Sequence, residues 1–182
     1  GGTCNYWYDN IGRLVVSQNA KQANNFYKEI MTDDHSEAGT SIDAYSYTVY
    51  DEIGRVTEVG EIIQNDIMTY AIAKDPTDLD DWLNDDISTT GSEAVVKNNI
   101  TQIYYDELLN TEVETEFGWA YAVGTSRNRI TATSSIAGYV ETTLGSWVYP
   151  APDYVSHYNY DVHGNVQTYL QEIEELDAYN NK

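Results

Sequence analysis

Short runs that alternate apolar and polar residues, interrupted by turn-forming residues, make up most of the chain. Alternation with a period of two predicts half-buried β-strands. The pattern predicts strands at 4–9, 13–18, 45–51, 55–63, 66–74, 94–106, 117–124, 128–134, 137–143, 147–149, 154–160 and 165–173. Residues 19–28 fit either a polar strand continuation or a short helix. The chain is therefore predicted to be all-β.

One segment has helical spacing. Leu79, Trp82, Leu83 and Ile87 recur every three or four residues after Pro76, with Thr77 or Asp78 as the candidate N-cap. This pattern predicts one short helix of two to three turns. The stretches at 31–44 and 88–93 are rich in turn-forming residues and are predicted to be loops, and the acidic stretch 172–175 is either helical or frayed.

A phrase of Tyr, Asp, Gly and Arg occurs four times along the chain. Its aspartates lie 42, 55 and 55 residues apart. The residues of the four copies are Tyr8, Asp9, Gly12 and Arg13; Tyr50, Asp51, Gly54 and Arg55; Tyr105 and Asp106; and Tyr160, Asp161 and Gly164. Because a repeated unit buries its apolar face only by stacking on its neighbours, the repeat predicts an extended array.

The phrase as a whole predicts a β-hairpin, and each of its parts has a physical role in that hairpin. Alternating tyrosines share one face of a strand, and aromatic rings suit a half-buried pleated surface. The aspartate begins a turn and accepts hydrogen bonds from backbone amides one or two residues on. The glycine fits either the last place of a type I turn or a following left-handed position. The β-prone run after the arginine is the return strand. The predicted role of these residues is therefore structural.

The phrase resembles the YD repeat of the Rhs-type proteins, in which a Tyr-Asp pair, two variable residues, Gly and Arg recur. The stretches 81–84, 100–106, 127–130 and 160–166 also resemble segments of long Rhs-type proteins of Bacteroidetes, so the similarity spans essentially the whole chain. The third copy departs from the pattern with Leu109 and Asn110 in the Gly and Arg places, so its turn is expected to use other backbone geometry, such as a longer loop. The fourth has Asn165 in the Arg place. The Arg-Tyr and Asp-Pro-x-Gly core of the family does not occur, so the self-cleaving part and any toxin beyond it are expected elsewhere.

The resemblance implies a fold, a function and a set of partners. Hairpins near 4–18, 45–63, 100–124 and 154–173 would form a long curved sheet, part of a hollow shell that encloses a C-terminal toxin or effector domain. The chain would then be one segment, over residues 1–182, of a much larger secreted or cell-surface bacterial protein, with type 9 export as the expected route. The implied partners are the remaining repeats, the enclosed effector domain and the secretion machinery. No catalytic residue, cofactor or metal is expected.

Charge narrows the choice of partners. Nine basic residues face 30 acidic ones, giving a net charge of −21. Nucleic-acid binding requires clustered Lys and Arg, so DNA and RNA are excluded as expected partners. No apolar run approaches the ~18 residues of a membrane span, so membrane insertion is not expected. The 17 Tyr and 2 Phe indicate sheets with a wetted face.

The acidic residues, histidines and cysteine offer little evidence of a chemical site. The six aspartates between Asp75 and Asp86 lack the order of a calcium loop and are predicted to be a solvated helix face. His35, His157 and His163 are isolated and form no metal-binding spacing. Cys4 is predicted to be a buried strand residue. Two alternatives remain open: an adhesin or carbohydrate-binding module that uses exposed Tyr and Trp, and, more remotely, an acidic hydrolase.

Overall fold

The structure of the protein is a computed structural model that describes residues 2–24, 43–64, 66–84, 96–106, 109, 126–138, 140–143, 146–148 and 151–173. The predicted strand at 117–124, the predicted loop at 88–93, His35 and Ile87 lie outside the described residues. So do most of the loop at 31–44 and residues 174–175 of the acidic stretch.

The described residues contain ten strands. They are β1 (Asn5–Tyr8), β2 (Leu14–Gln18), β3 (Asp43–Tyr50), β4 (Val56–Gln64), β5 (Val96–Tyr105), β6 (Ile130–Gly138), β7 (Val140–Thr143), β8 (Ser146–Val148), β9 (Tyr154–Tyr160) and β10 (Val166–Ile173). Eight of them form one sheet in the order β1-β2-β3-β4-β5-β6-β9-β10, and β7 pairs with β8. The mostly antiparallel sheet confirms the all-β prediction.

Two α-helices, rather than one, separate β4 from β5: α1 (Tyr70–Lys74) and α2 (Pro76–Asn84). The predicted strand at 66–74 is wrong. Thr69 caps α1 by accepting a hydrogen bond on its hydroxyl from the Ile72 amide at 3.2 Å. The alanines within α1 also favour the helix. Neither helix is long and apolar enough to cross a bilayer, and no other helix in the described residues is.

The N-cap of α2 is Asp75, not the predicted Thr77 or Asp78. Its Oδ1 accepts hydrogen bonds from the Thr77 and Asp78 amides at 2.9 and 3.2 Å. The physical reason is Pro76, whose fixed φ and missing N–H suit the first helical position and so place the cap one residue before it. As predicted for this helix, Trp82 and Leu83 are buried.

The start of the chain contains a short 3-10 turn and an exposed cysteine. Within residues 19–28, a short 3-10 turn forms over Gln22–Asn24, and residues beyond it lie outside the described part. Cys4 is exposed, so its predicted burial is wrong. The reason is that Cys4 precedes β1, and within β1 only Trp7 is buried.

The chain divides into two compact units, each with its own core. In the first unit, which comprises residues 1–49, 59–98 and 138–148, the rings of Trp7, Tyr45 and Trp82 form two edge-to-face contacts at 5.9 and 5.3 Å. Burial raises the pKa of Tyr45 to about 12. Its hydroxyl accepts a hydrogen bond from the Met68 amide at 3.4 Å. Aromatic edge-to-face packing therefore joins the sheet to α2.

The second unit comprises residues 50–58, 99–137 and 149–182, and its core mixes apolar and polar side chains. The buried side chains on its strands are Ile100, Thr131, Ala132, Ser134, Ile136, Val155, Ser156, His157 and Asn159. His157 is fully buried, and its Nε2 lies 3.5 Å from Oε2 of Glu172 on the neighbouring strand β10. Buried polar groups normally have hydrogen-bond partners, but neither ring nitrogen of His157 has one among the described residues.

Candidate functional site at the repeat turns

Three of the four repeated phrases form the same turn. In each, the aspartate amide donates to the carbonyl of the residue four positions on at 2.9 Å, and the glycine amide donates back to the aspartate carbonyl. The glycines Gly12, Gly54 and Gly164 have φ values of 90°, 89° and 92°. Residues other than glycine rarely adopt these φ angles, which accounts for the glycine in the phrase.

The aspartate side chain holds each of these turns together. Oδ1 of Asp51 accepts hydrogen bonds from the amides of Ile53 and Arg55, at 3.1 and 2.8 Å. Oδ2 accepts one from Nε of Arg55 at 2.6 Å. Asp9 and Asp161 repeat the amide pattern. The carboxylate therefore binds the amide two residues on, as the sequence pattern predicts, and also the amide four residues on, which the pattern does not predict.

These contacts shift the acidity of the aspartates. Partial burial acts to raise the pKa of Asp51, but the hydrogen bonds and charge of Arg55 outweigh it and lower that pKa. The pKa of Asp9 is lowered in the same way, because the hydrogen bonds and charge of Arg13 outweigh the effect of burial. Hydrogen bonds from the side chain and amide of Asn165 lower the pKa of Asp161. Each carboxyl is therefore held in its charged form by its own turn.

The third phrase forms a turn from two distant pieces of the chain. Asp106 donates its amide hydrogen bond to the carbonyl of Arg129 at 3.2 Å, as Asp51 does to Arg55. Asn128, with a φ of 59°, takes the place of the glycine, and its amide donates to Oδ1 of Asp106. The assignment of Leu109 and Asn110 to the Gly and Arg places is therefore a misalignment, because the two places are filled 22 and 23 residues after the aspartate.

One contact between successive turns is made by Arg55. Its guanidinium lies 4.2 Å from the centre of the Tyr105 ring, and its Nη1 is 2.8 Å from Oδ2 of Asp106. The Tyr105 hydroxyl donates in return to the carbonyl of Val56, the residue after the arginine, at 2.9 Å. Arg55 thus holds its own aspartate with Nε and the next aspartate with Nη1.

Arg129 makes the same type of contact with the fourth turn. Its guanidinium lies 5.3 Å from the centre of the Tyr160 ring, and its Nη1 lies 3.5 Å from the carbonyl of Asp161. The Tyr160 hydroxyl donates to the carbonyl of Ile130 at 2.7 Å. A side chain at Gly164 would collide with the guanidinium, because a Cβ there would lie 2.6 Å from Nη2.

We call this arrangement a clasp: the arginine of one turn stacks on the tyrosine of the next, and that tyrosine hydroxyl binds the carbonyl after the arginine. The clasp combines a cation–π contact with hydrogen bonds between two hairpins. Hydrogen bonds to Asp51 and Asp106 raise the pKa of Arg55, and the hydrogen bond from Arg55 is the main cause that lowers the pKa of Asp106. The phrase therefore joins hairpins as well as shaping turns.

The structure places the remaining phrase residues at strand ends. Tyr8 and Tyr50 are the last residues of β1 and β3, just as Tyr105 and Tyr160 end β5 and β9. Arg13 follows the first turn and binds Asp9 through Nε at 2.6 Å. All thirteen predicted residues thus lie at turns or at the strand ends beside them, but Asn128 and Arg129 were missed as members of the set.

The other chemistry weighed from the sequence has no assembled site in the described residues. Asp75 caps α2, and Asp78, Asp80 and Asp81 are exposed on that helix. Among the residues that the structure describes, no three His, Cys, Asp or Glu side chains are grouped as a metal site. The arrangement that these residues do build is the pair of clasps, whose chemistry is recognition of arginine by tyrosine and aspartate.

Comparison with known proteins gives no relative: no family model, curated protein or solved structure matches the chain.

Proposed function

We propose that this chain is a wall segment of an Rhs/YD-repeat shell in a secreted or cell-surface protein, and that the shell encloses a C-terminal effector domain. The segment contributes hairpins and no catalysis. Its partners are further repeats of the same long chain, the enclosed domain and the export machinery. In this proposal, the sheet is curved and forms part of the shell.

The observation that carries the proposal is the clasp. A turn phrase that recurs only to shape hairpins would need Asp and Gly but would have no use for an arginine that reaches the next copy. Arg55 and Arg129 each contact the Tyr-Asp pair of the following turn. Residues that bind copy to copy support a function in which repeats are laid side by side, as the wall of a shell requires.

The intact mass of the native protein, purified from its source, tests this proposal. A mass several-fold above 20.6 kDa would support it, because the segment would then be one stretch of a long chain. Limited proteolysis of that protein should leave the C-terminal domain uncut until the sheet unfolds. A native mass near 20.6 kDa, or a C-terminal domain cut as readily as an unfolded chain, would contradict the proposal.

A second candidate function is glycan binding, supported by exposed tyrosine rings. Tyr6 on β1 and Tyr169 on β10 are about half exposed, at 49% and 52%, and flat exposed rings can stack on sugars. The matched test is binding of the isolated chain to a glycan array, compared with Tyr6→Ser and Tyr169→Ser variants. Binding that both variants weaken would favour this function over the wall.

A further inference from the structure

We propose that the outer edge of β1, the first strand of the described sheet, is a docking site for another hairpin of the same kind, whose return strand begins with an arginine that stacks on Tyr8. The partner is defined by its chemistry: an Asp-x-x-Gly-Arg turn followed by a β-strand. This deepens the proposed wall function, because it names the side chain that an adjoining repeat must bring to this edge.

The position of Tyr8 in the sheet supports the proposal. In both clasps, the tyrosine ends the outgoing strand of one hairpin, and the arginine precedes the return strand of the hairpin before it. Tyr105 and Tyr160 end β5 and β9, and the neighbours of these strands in the sheet are β4 and β6, which follow Arg55 and Arg129. Tyr8 ends β1 in the same way, but β1 is the outermost strand of the described sheet.

The exposure of Tyr8 is what an unoccupied half of a clasp should show. Tyr8 is 45% exposed. Tyr105 and Tyr160, each covered by an arginine, are less exposed and are half-buried. In the described residues, no cation lies over Tyr8. Beside it, Asp9 forms the same turn as Asp161, so the carbonyl that Arg129 approaches in the second clasp has its counterpart next to Tyr8.

The backbone of β1 also favours a strand as the occupant. An outermost strand presents unpaired amide and carbonyl groups that can bind another strand, and side chains then select which strand binds. The chain carries a net charge of −21, which favours a partner that brings a guanidinium. A return strand that begins with an arginine would pair with the backbone of β1, stack on the Tyr8 ring and offset negative charge.

The other end of the sheet lacks the arginine that such docking requires. The outermost strand there, β10, follows Asn165, whose Nδ2 binds Oδ2 of Asp161 at 2.9 Å as Nε of arginine does in the other turns. Asparagine can hold its own turn but cannot stack on a ring in a neighbouring hairpin. Neither outer strand of the described sheet in a second copy of this chain therefore completes the clasp on Tyr8.

Asn165→Arg in the full 182-residue chain tests the proposal, because it supplies the missing arginine at β10. We expect this variant to associate head to tail, roughly tenfold more tightly than the wild-type chain, in sedimentation velocity at low salt. Asn165→Lys is the matched control, since an ammonium cannot make the planar stacking contact. Tyr8→Ser in the Asn165→Arg background should return the chain to its wild-type state.

Three outcomes would overturn the proposal. They are an Asn165→Arg chain that keeps its β-sheet circular dichroism but stays as monomeric as the wild type, association that persists in the Tyr8→Ser background, and a wild-type chain that already pairs through β1. The wall function is tested separately by the native mass. A small native mass with tyrosine-dependent association would reject the wall and keep the docking site.

Discussion

Arg55 and Asp106 lie 51 positions apart in the sequence, yet Nη1 of the arginine is 2.8 Å from Oδ2 of the aspartate. The same guanidinium binds Asp51 through Nε and covers the ring of Tyr105. One side chain thus closes its own turn and attaches the next. An isolated surface ion pair contributes little, so the shared guanidinium and the ring contact are what make this clasp worth testing.

Arg55→Ala should lower the thermal midpoint by a few degrees, because it removes the ring contact and leaves two carboxylates without their cation. Arg55→Lys should recover only part of the loss, since lysine cannot bind two carboxylates and stack at once. Arg127→Ala is the matched control, because Arg127 is exposed on the third turn. Equal midpoints for the Arg55→Ala and Arg127→Ala variants would refute a stabilising clasp.

Gly164→Ala should be more destabilising than Gly12→Ala. Both substitutions force a side chain into positive φ, at a cost of about 1–2 kcal/mol. Only at Gly164 does the new Cβ also displace the Arg129 guanidinium, whereas the space at Gly12 is open.

A double-mutant cycle separates the two effects in urea unfolding. In an Arg129→Ala background, the extra cost of Gly164→Ala should disappear and leave only the cost seen at Gly12. If the two substitutions are simply additive, the guanidinium does not pack against Gly164.

Asn128→Gly should leave the free energy of unfolding nearly unchanged, whereas Asn128→Ala should lower it by about 1 kcal/mol. The reason is the φ of 59° at this position, which asparagine and glycine tolerate better than alanine. Chemical denaturation measures both. An alanine variant as stable as the wild type would show that Asn128 does not take the glycine place of the third turn.

Acid should destabilise the chain through the turn aspartates. The pKa values of Asp51, Asp106 and Asp161 are lower in the folded chain than their ordinary value of 3.8. The unfolded chain therefore binds these protons more readily, and the resulting stability is present above about pH 4 and lost as the pH falls through the folded pKa values.

The thermal midpoint followed from pH 6 down to about pH 2 checks this assignment. Asp51→Asn combined with Asp161→Asn should flatten the decline below pH 4. Asp78→Asn combined with Asp81→Asn removes two exposed helix charges and serves as the control. A decline equally steep in both double variants would place the acid sensitivity elsewhere.

Trp82→Phe should cost about 1 kcal/mol of unfolding free energy, because it removes the hydrogen bond from the indole Nε1 to the Asp66 carbonyl at 3.0 Å but keeps a ring against Tyr45. Trp82→Ala should cost about 3–5 kcal/mol, since a buried ring is lost. Urea unfolding measures the free energies of both variants. A phenylalanine variant as damaged as the alanine variant would show that packing volume, not the hydrogen bond, dominates.

Most of the strands could be predicted from the sequence, because alternation of apolar and polar residues directly reflects a half-buried sheet. The prediction at 154–160 matches β9, whereas 66–74 was mistaken for a strand. That stretch is apolar enough for either state, and the helix that forms is capped by the Thr69 hydroxyl. Local hydrogen bonds of this kind leave almost no trace in periodicity.

The residues of the three contiguous turns were predictable because all the residues that form each turn lie within one phrase. The clasps were not, since a sequence does not say which strands become neighbours, and Arg55 meets Tyr105 only through the pairing of two hairpins. Arg129 was recoverable in principle: an asparagine able to adopt positive φ, followed by arginine and a β-prone run, occurs at 128–134. A longer loop was predicted for the third copy, but the sequence did not indicate which later residues close its turn.

The divided third turn has a consequence for how such proteins evolve. Asp106 and Arg129 close a turn whose connection is longer by 19 residues than that between Asp51 and Arg55, yet β5 and β6 remain neighbours in the sheet. A hairpin tip that tolerates an insertion can acquire new sequence without any change of strand register. Homology searches that require a contiguous phrase will miss such units, whereas searches that allow a gap between Tyr-Asp and Asn-Arg or Gly-Arg will find them.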